Sequence, residues 1–286
     1  QVVLRSARMP VEERDWREAA GGQEKSDVRL ELLVVLADDV GPADEAFLER
    51  IRDDKSQNVR ALTAELLARI PESGLLKRVT ERADSVLTYA AAKPGVLARL
   101  KSKVGGGPPV GTVDATPPAK LDPTWERDGV PQKAPKGIGQ RAHWLASLLG
   151  LVPPGHWSAR YNATPDSLVR AAWAGEWGFA VTAGWSRAAL LHRTTDWMPA
   201  LWDGWLRERL EGAELAVQSE MLRALLESMN AADREARVLH VLRDPPSLKG
   251  FSSDLAILLC PAPWSETLGA AYLDTIARQL KASKPD

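Results

Sequence analysis

The fold of this chain is decided by residues 56–70, which read SQNVRALTAELLARI. Apolar side chains recur there at steps of three or four residues, so that one side of a helix carries Val59, Leu62, Leu66, Leu67 and Ile70. Ser56 stands where an N-cap is needed, and Pro71 follows the last apolar residue directly. The pattern predicts an amphipathic helix that packs against a neighbour through its apolar side.

Similar patterns follow one another along the chain. We predict further helices at residues 28–36, 47–51, 75–87, 144–149, 164–173, 179–191, 197–210, 215–229, 233–242 and 264–280. Between residues 11 and 92 no segment alternates with period two, so no strand is predicted there. A repeated order of helix, short turn and helix is typical of an α-solenoid. We therefore predict an all-α fold, an α-solenoid of antiparallel helix pairs.

Proline and glycine divide the chain into two helical blocks. The prolines and glycines of residues 93–138 exclude a long helix or a central strand. We predict a Pro/Gly-rich linker there, between an N-terminal block at residues 1–92 and a Trp-rich block at residues 139–286. Within the linker, the segment near residues 121–130 contains Trp125, and we expect this segment to dock onto a neighbouring helix.

Composition and charge limit the class of protein. Of the 286 residues, 44% are hydrophobic and 26% are charged, which is an ordinary globular balance. The formal net charge of -1 gives no overall positive field for nucleic acid or an anionic membrane. No apolar run approaches the roughly 20 residues that cross a bilayer, and the first residues do not form a signal peptide. A single cysteine suits the reducing cytoplasm. Because the sequence does not start with methionine, we expect a trimmed chain or a part of a longer one.

Residue types that carry catalysis or bind metals are scattered. No metal-ligand spacing occurs among the histidines, which are His143, His156, His192 and His240. Cys260 ends an apolar run and is predicted to be a buried, inert thiol. The glycines at 105–107 are not followed by the Gly-Lys-Ser/Thr of a phosphate loop. We therefore predict no catalytic residue, no cofactor and no metal, and a protein that is not an enzyme.

Tryptophan is the unusual residue type, since the chain has 11 tryptophans but three phenylalanines and three tyrosines. Trp144 and Trp157 are interpreted as packing residues between helices. For the others, two interpretations remain: the rings fill the core, or some lie on a concave surface beside arginines, because both residue types dominate protein-binding hot spots. The candidate protein-binding residues are Trp173, Trp177, Trp185, Arg187, Arg193, Trp197, Trp202 and Trp205. Arg141 and Arg170 are near enough in sequence to join them.

One stretch carries a resemblance to a known repeat. Residues 54–60, DKSQNVR, followed by Thr63-Ala64 and Leu66, resemble the inter-helix turn and second helix of a HEAT repeat. The resemblance implies that Asp54 helps to close the turn, that Val59 packs between helices and that Arg60 ladders along the stack. These residues are thus expected to be structural, and the predicted solenoid is expected to be HEAT-like.

A second resemblance covers most of the chain. It rests on residues 137–145, GIGQRAHWL, and 153–157, PPGHW, together with residues 71–82 and 121–129 and the later tryptophans. These motifs are similar to those of a bacterial family of HEAT-like helical proteins known only as a domain of unknown function. Its members are often encoded beside a MoxR-type AAA+ ATPase, a protein with a von Willebrand factor A domain and a SWIM zinc-finger protein. The resemblance implies the ATPase or its von Willebrand A-domain partner as the binding partner.

These observations predict a non-catalytic scaffold or adaptor that binds partner proteins. Two alternatives stay open. One is a HEAT-like nucleic-acid-binding protein or DNA glycosylase-like enzyme, suggested by Asp196-Trp197 and the arginines nearby, although the net charge argues against a phosphate-binding surface. The other is an assembly subunit that exists mainly as an oligomer.

Overall fold

The computed structural model of the protein describes residues 26–92, 111–244, 253–260 and 263–282. Over these residues the chain is mostly helical, as the all-α prediction requires. The predictions that fall on residues 1–25 and on the glycines at 105–107 lie outside the described residues. Among the helices described, none is long and apolar enough to cross a membrane.

The first described part consists of short helices whose apolar sides face one another. The helices are α1 (Ser26–Leu36), a 3-10 turn (Pro42–Asp44), α2 (Glu45–Ile51), α3 (Gln57–Arg69) and α4 (Gly74–Val86). On α3, Val59 and Leu67 are fully buried, as the spacing that opens the sequence analysis predicts. Ser73 caps α4, because its hydroxyl accepts a hydrogen bond from the Leu76 amide.

A small antiparallel sheet follows, and it corrects the prediction that no strand occurs before residue 92. Strand β1 (Leu87–Ala90) pairs with β2 (Thr112–Ala115), with Leu87 opposite Ala115 and Tyr89 opposite Val113. Strand β2 therefore lies within residues predicted to be linker. Each strand has four residues, which is too short for a period of two to be recognised, and the pairing partner is distant in sequence.

After the sheet, the described residues form a further series of helices. They are α5 (Pro123–Arg127), α6 (Gln140–Leu149), α7 (Pro154–Tyr161), α8 (Pro165–Trp173), α9 (Gly178–Leu191), α10 (Met198–Arg207), α11 (Gly212–Ser228), α12 (Ala231–Arg243), α13 (Ser253–Leu258) and α14 (Glu266–Ala282). Their buried apolar side chains and those of the first helices form one continuous core. The division into two blocks stays a prediction.

Helices α6 and α9 pack closely against each other, and their contact positions the candidate site. A Cβ atom placed on Gly184 of α9 would lie 2.6 Å from the Leu149 Cβ and 2.9 Å from the Ala146 carbonyl oxygen of α6. Near the ends of the two helices, Gly150 meets Arg187, and Arg141 meets Trp177. Early residues of one helix therefore contact early residues of the other, so the two helices run parallel.

Candidate protein-binding surface

Most of the tryptophans proposed for binding lie in the core. Trp185, Trp197, Trp202 and Trp205 are each 0% exposed, so the prediction that they form part of a surface is wrong for these four. The physical reason is their size: a large ring on the inner face of a helix fills space that smaller side chains would leave empty. Trp144 and Trp157 are buried too, at 8% and 0% exposed.

The buried rings contact one another in preferred geometries. The Trp185 ring lies between those of Trp157 and Trp197, at centroid distances of 6.3 Å and 5.4 Å. The Trp205 ring meets that of Trp173 edge to face at 5.2 Å. The Trp205 indole N–H donates to the Ser186 hydroxyl at 2.9 Å. These ring contacts thus pack the four helices α7, α8, α9 and α10 against one another.

Burial of Trp197 also bears on the nucleic-acid alternative. Its neighbour Asp196 is exposed, but the Trp197 ring is covered from all sides and offers no face for stacking with a base. The residue pair that suggested this alternative is therefore divided between the surface and the core.

The accessible members of the candidate set are Trp173, Trp177, Arg187 and Arg193. The two tryptophans are half-buried, and the two arginines are exposed. Arg193 lies just beyond the end of α9, in the left-handed conformation with φ 53°. The Trp173 indole nitrogen is buried against Gly204, so Trp173 belongs mainly to the core. Trp177 and Arg187 therefore remain as the members on α9 with accessible chemistry.

A cation–π pair gives this surface its defined geometry. The Arg141 guanidinium carbon lies 5.3 Å from the centre of the Trp177 ring. Arg141 also donates a hydrogen bond to the Pro117 carbonyl, which fixes the guanidinium group above the ring. Arg141 was only a secondary candidate in the sequence, because nothing there shows that the first turn of α6 meets the start of α9. We call Arg141 and Trp177 the Arg141–Trp177 surface.

Arg187 is an exposed residue farther along α9. It lies ten residues beyond Trp177, or roughly 15 Å along a helix that rises about 1.5 Å per residue. Its charge affects the pKa of two titratable groups, His143 on α6 and Glu65 on α3. Desolvation, and then Arg187, lowers the pKa of His143. Desolvation raises the pKa of Glu65 on α3, and Arg187 acts against this rise.

The turn before α3, residues 52–56, is built around Asp54. Its carboxylate accepts a hydrogen bond from the Ser56 amide at 2.7 Å and pairs with Arg29 of α1 at 2.9 Å. Ser56 occupies the N-cap position of α3, but its hydroxyl makes no capping bond. Arg60 donates to the Asp54 carbonyl at 2.7 Å and to the Glu126 carboxylate at 3.0 Å. Arg60 thus ties the turn to α5 and the residues around it.

Residues 122–130, which we call the Asp128 segment, lie across helices α2, α3 and α4. Asp128 is 2% exposed, and its carboxylate pairs with Arg52 at 2.9 Å, with Arg78 at 3.2 Å and with Arg82. Gly129 makes this approach possible: it adopts φ +91°, and a Cβ there would lie 2.3 Å from the Ala64 Cβ. The segment is therefore held by buried charge and by close backbone contact.

A second polar cluster lies beside the sheet. The His156 Nε2 is 2.7 Å from an Asp84 carboxylate oxygen, and Arg160 pairs with the other oxygen at 2.9 Å. Tyr161 donates its hydroxyl proton to the Leu87 carbonyl. These contacts link α7 to the end of α4 and to β1. The role of His156, Arg160 and Tyr161 is therefore structural.

Within the described residues there is neither a metal-binding cluster nor a reactive thiol. Over those residues, no three His, Cys, Asp or Glu side chains come together to hold a metal ion. Cys260 is a buried free thiol, and its burial, with the nearby Glu235 charge, raises its pKa. The neutral thiol form is thus favoured.

The protein is mostly helical, with several tryptophans in its core and an accessible Trp–Arg pair at its surface. The chain belongs to the Family of unknown function (DUF5691), whose model matches residues 4–286. No curated protein and no solved structure matches the chain significantly.

Proposed function

We propose that this protein is a non-catalytic helical-repeat scaffold or adaptor, and that the Arg141–Trp177 surface binds a partner protein. The cation–π pair carries the proposal. An arginine held over a half-buried tryptophan presents two residue types that dominate binding energy at protein interfaces. Because a hydrogen bond to Pro117 already orders the guanidinium group, binding would cost little side-chain entropy.

The wider arrangement that we propose for this surface is a HEAT-like solenoid. Parallel contact of α6 with α9 supports it, because the first helices of successive antiparallel pairs lie side by side and point the same way in such a stack. Helices α7 and α8 return the chain between them. A solenoid would present the Arg141–Trp177 surface on a continuous layer formed by the first helices of the pairs.

For the partner, we propose a MoxR-type AAA+ ATPase or the von Willebrand A-domain protein encoded with it. This part rests on the family resemblance, whose bacterial members are often encoded beside these proteins. The free, buried Cys260 thiol fits the reducing cytoplasm in which we propose that the complex works.

The test is a titration of the full chain with the purified ATPase and, separately, with the purified von Willebrand A-domain protein. We expect saturable binding to one of them, and we expect Arg141→Ala or Trp177→Ala to weaken it by roughly 30-fold, as for a hot-spot residue. Arg160→Ala is the matched control, because Arg160 lies at 5.8 Å over Tyr161 on another part of the protein.

If the chain binds neither protein, the proposed partner is wrong. If Arg141→Ala and Arg160→Ala weaken partner binding equally, the Arg141–Trp177 surface is not the binding site. An intrinsic turnover by the isolated chain would overturn the non-catalytic role.

A further inference from the structure

Helix α14, Glu266–Ala282, is the last described helix, and one side of it packs on α12. Leu268 and Thr275 are buried on that side, at 0% and 4% exposed. Arg278 donates a hydrogen bond to the Leu242 carbonyl of α12 at 2.7 Å, and the Thr275 hydroxyl oxygen lies 3.3 Å from the same carbonyl oxygen. These contacts fix the rotation of α14 about its axis, and with it the side that faces outward.

The outward side of α14 carries a narrow apolar stripe, with exposed Asp274 and Arg278 beside it. Leu273 and Leu280 are 66% and 64% exposed and stand seven positions apart, so they lie almost in line on the helix. Ala270 and Ala277, both exposed, follow the same spacing beside them. We call these four residues the α14 stripe. Such a stripe is costly to leave in water, and its small residues allow another helix to approach closely.

Charges of opposite sign mark the two ends of the stripe. Glu266 lies in the first turn of α14, and Lys281 lies in the last. Both residues are exposed and fall on the same side of the helix as the stripe. The order from one end to the other is acid, alanine, leucine, alanine, leucine, base.

We propose that the α14 stripe binds a second copy of this chain, with the two α14 helices antiparallel about a two-fold axis between residues 273 and 274. In this register Glu266 of each copy faces Lys281 of the other, and Ala270 faces Ala277. A two-fold interface uses the same patch twice, so both charge pairs form, and they outnumber the one like-charge pair that Asp274 makes with its own copy near the axis. The leucines then pack beside the alanines of the opposite helix.

Charge order favours a second copy in this orientation over other arrangements. A parallel pair would set Glu266 against Glu266 and Lys281 against Lys281, and like charges that face each other are destabilising. The contact is modest, since a helix of 17 residues is about 25 Å long. A patch of this size falls at the small end of specific interfaces, so the dimer should dissociate upon dilution.

The experiment is sedimentation velocity of the full chain over a range from low to high micromolar concentration. We expect a concentration-dependent monomer–dimer equilibrium. The double variant Leu273→Glu/Leu280→Glu should weaken dimerisation at least tenfold while the circular dichroism spectrum and melting temperature stay unchanged, because both side chains are exposed. Val34→Glu/Val35→Glu on α1 is the matched control, since those valines are 59% and 62% exposed.

A charge exchange tests the register. Glu266→Lys alone and Lys281→Glu alone should each weaken the dimer, and the two together should restore it, because every pair again has opposite signs. A monomer at all concentrations would overturn the proposal. So would a dimer that the α1 variant breaks and the α14 variant leaves intact. Failure of the double charge exchange to restore association would overturn the antiparallel register.

Discussion

Arg52 and Asp128 are 76 positions apart in sequence, yet the Arg52 Nη1 lies 2.9 Å from a carboxylate oxygen of Asp128. Arg78 and Arg82 contact the same carboxylate. Asp128 is nearly inaccessible, whereas its three arginine partners are partly exposed. The charge of Asp128 is therefore compensated by several guanidinium groups, and removal of that one charge leaves all of them without their common partner.

From this arrangement we predict a large loss of stability for Asp128→Ala. Breaking a buried ion pair by removal of one partner costs about 3–5 kcal/mol of unfolding free energy. Urea denaturation would measure it. Asp53→Ala is the control, because Asp53 pairs with Arg127 at the exposed edge of the same segment and its removal should change stability little. Equal losses in the two variants would show that the buried network does not hold the Asp128 segment.

A second prediction concerns the close contact of α6 with α9. Gly184→Ala should lower the unfolding free energy by about 1–3 kcal/mol, because the new methyl group would meet the Ala146 carbonyl and Leu149. Gly155→Ala in α7 has open space around the new Cβ and should be neutral or stabilising, by up to about 1 kcal/mol. Thermal melts of both variants give the comparison. An unchanged stability of Gly184→Ala would contradict the close contact described for these helices.

The hydrogen bond between Trp205 and Ser186 gives a third prediction. Ser186→Ala leaves the Trp205 indole N–H buried without its acceptor, which should cost about 1–3 kcal/mol. The matched control is Ser219→Ala on α11, whose hydroxyl bonds only to the Leu215 carbonyl of its own helix. Urea unfolding should show a clearly smaller change for the control. A similar change in both would mean that the indole finds another acceptor.

The fourth prediction is a decrease in stability at mildly acidic pH. Burial lowers the pKa of His143 and His192 below the ordinary value of 6.5, and Arg187 adds to this effect for His143. The unfolded chain therefore takes up protons at a higher pH than the folded protein does. The stability due to the neutral imidazoles is complete above pH 6.5 and is lost as the pH falls from there through the folded pKa values.

Urea unfolding between about pH 7.5 and pH 5.5 would measure this decrease. His143→Gln removes one of the titrating groups and should make the dependence shallower. Arg187→Gln should raise the pKa of His143, which an NMR titration of the imidazole protons can follow. An unchanged pKa in Arg187→Gln would show that the arginine charge does not reach His143.

Helices were the part of this fold that the sequence could predict. The apolar spacing and the Pro71 stop predicted α3 almost to the residue, and Thr164 caps α8 with Pro165 in its first turn, as expected. Helix α7 was missed because Gly150 and Pro153-Pro154 were interpreted only as the end of the helix predicted at residues 144–149. Pro154 in fact opens that helix, where its missing N–H leaves no donor unpaired.

The candidate surface could be predicted only in part. The spacing of four residues predicted that Trp173 and Trp177 share one helix face, but Trp173 ends α8 and Trp177 is the N-cap of α9. The core position of Trp202, which donates to the Leu222 carbonyl, depends on α11, about 20 residues later. The pairing of Arg141 with Trp177 depends on two helices that are adjacent in space but not in sequence. Such contacts are decided by tertiary packing, which periodicity does not report.

The Asp128 segment has one further consequence for the chain as a whole. Residues 26–92 and the residues from 111 onward are joined by ion pairs at Asp128, by the paired strands and by a shared core as well as by the peptide backbone. A single proteolytic cut within residues 93–110 should therefore leave two fragments that stay associated and elute together. The backbone connection at that point would be dispensable for the folded state, and two separately expressed pieces would reassemble as a split protein.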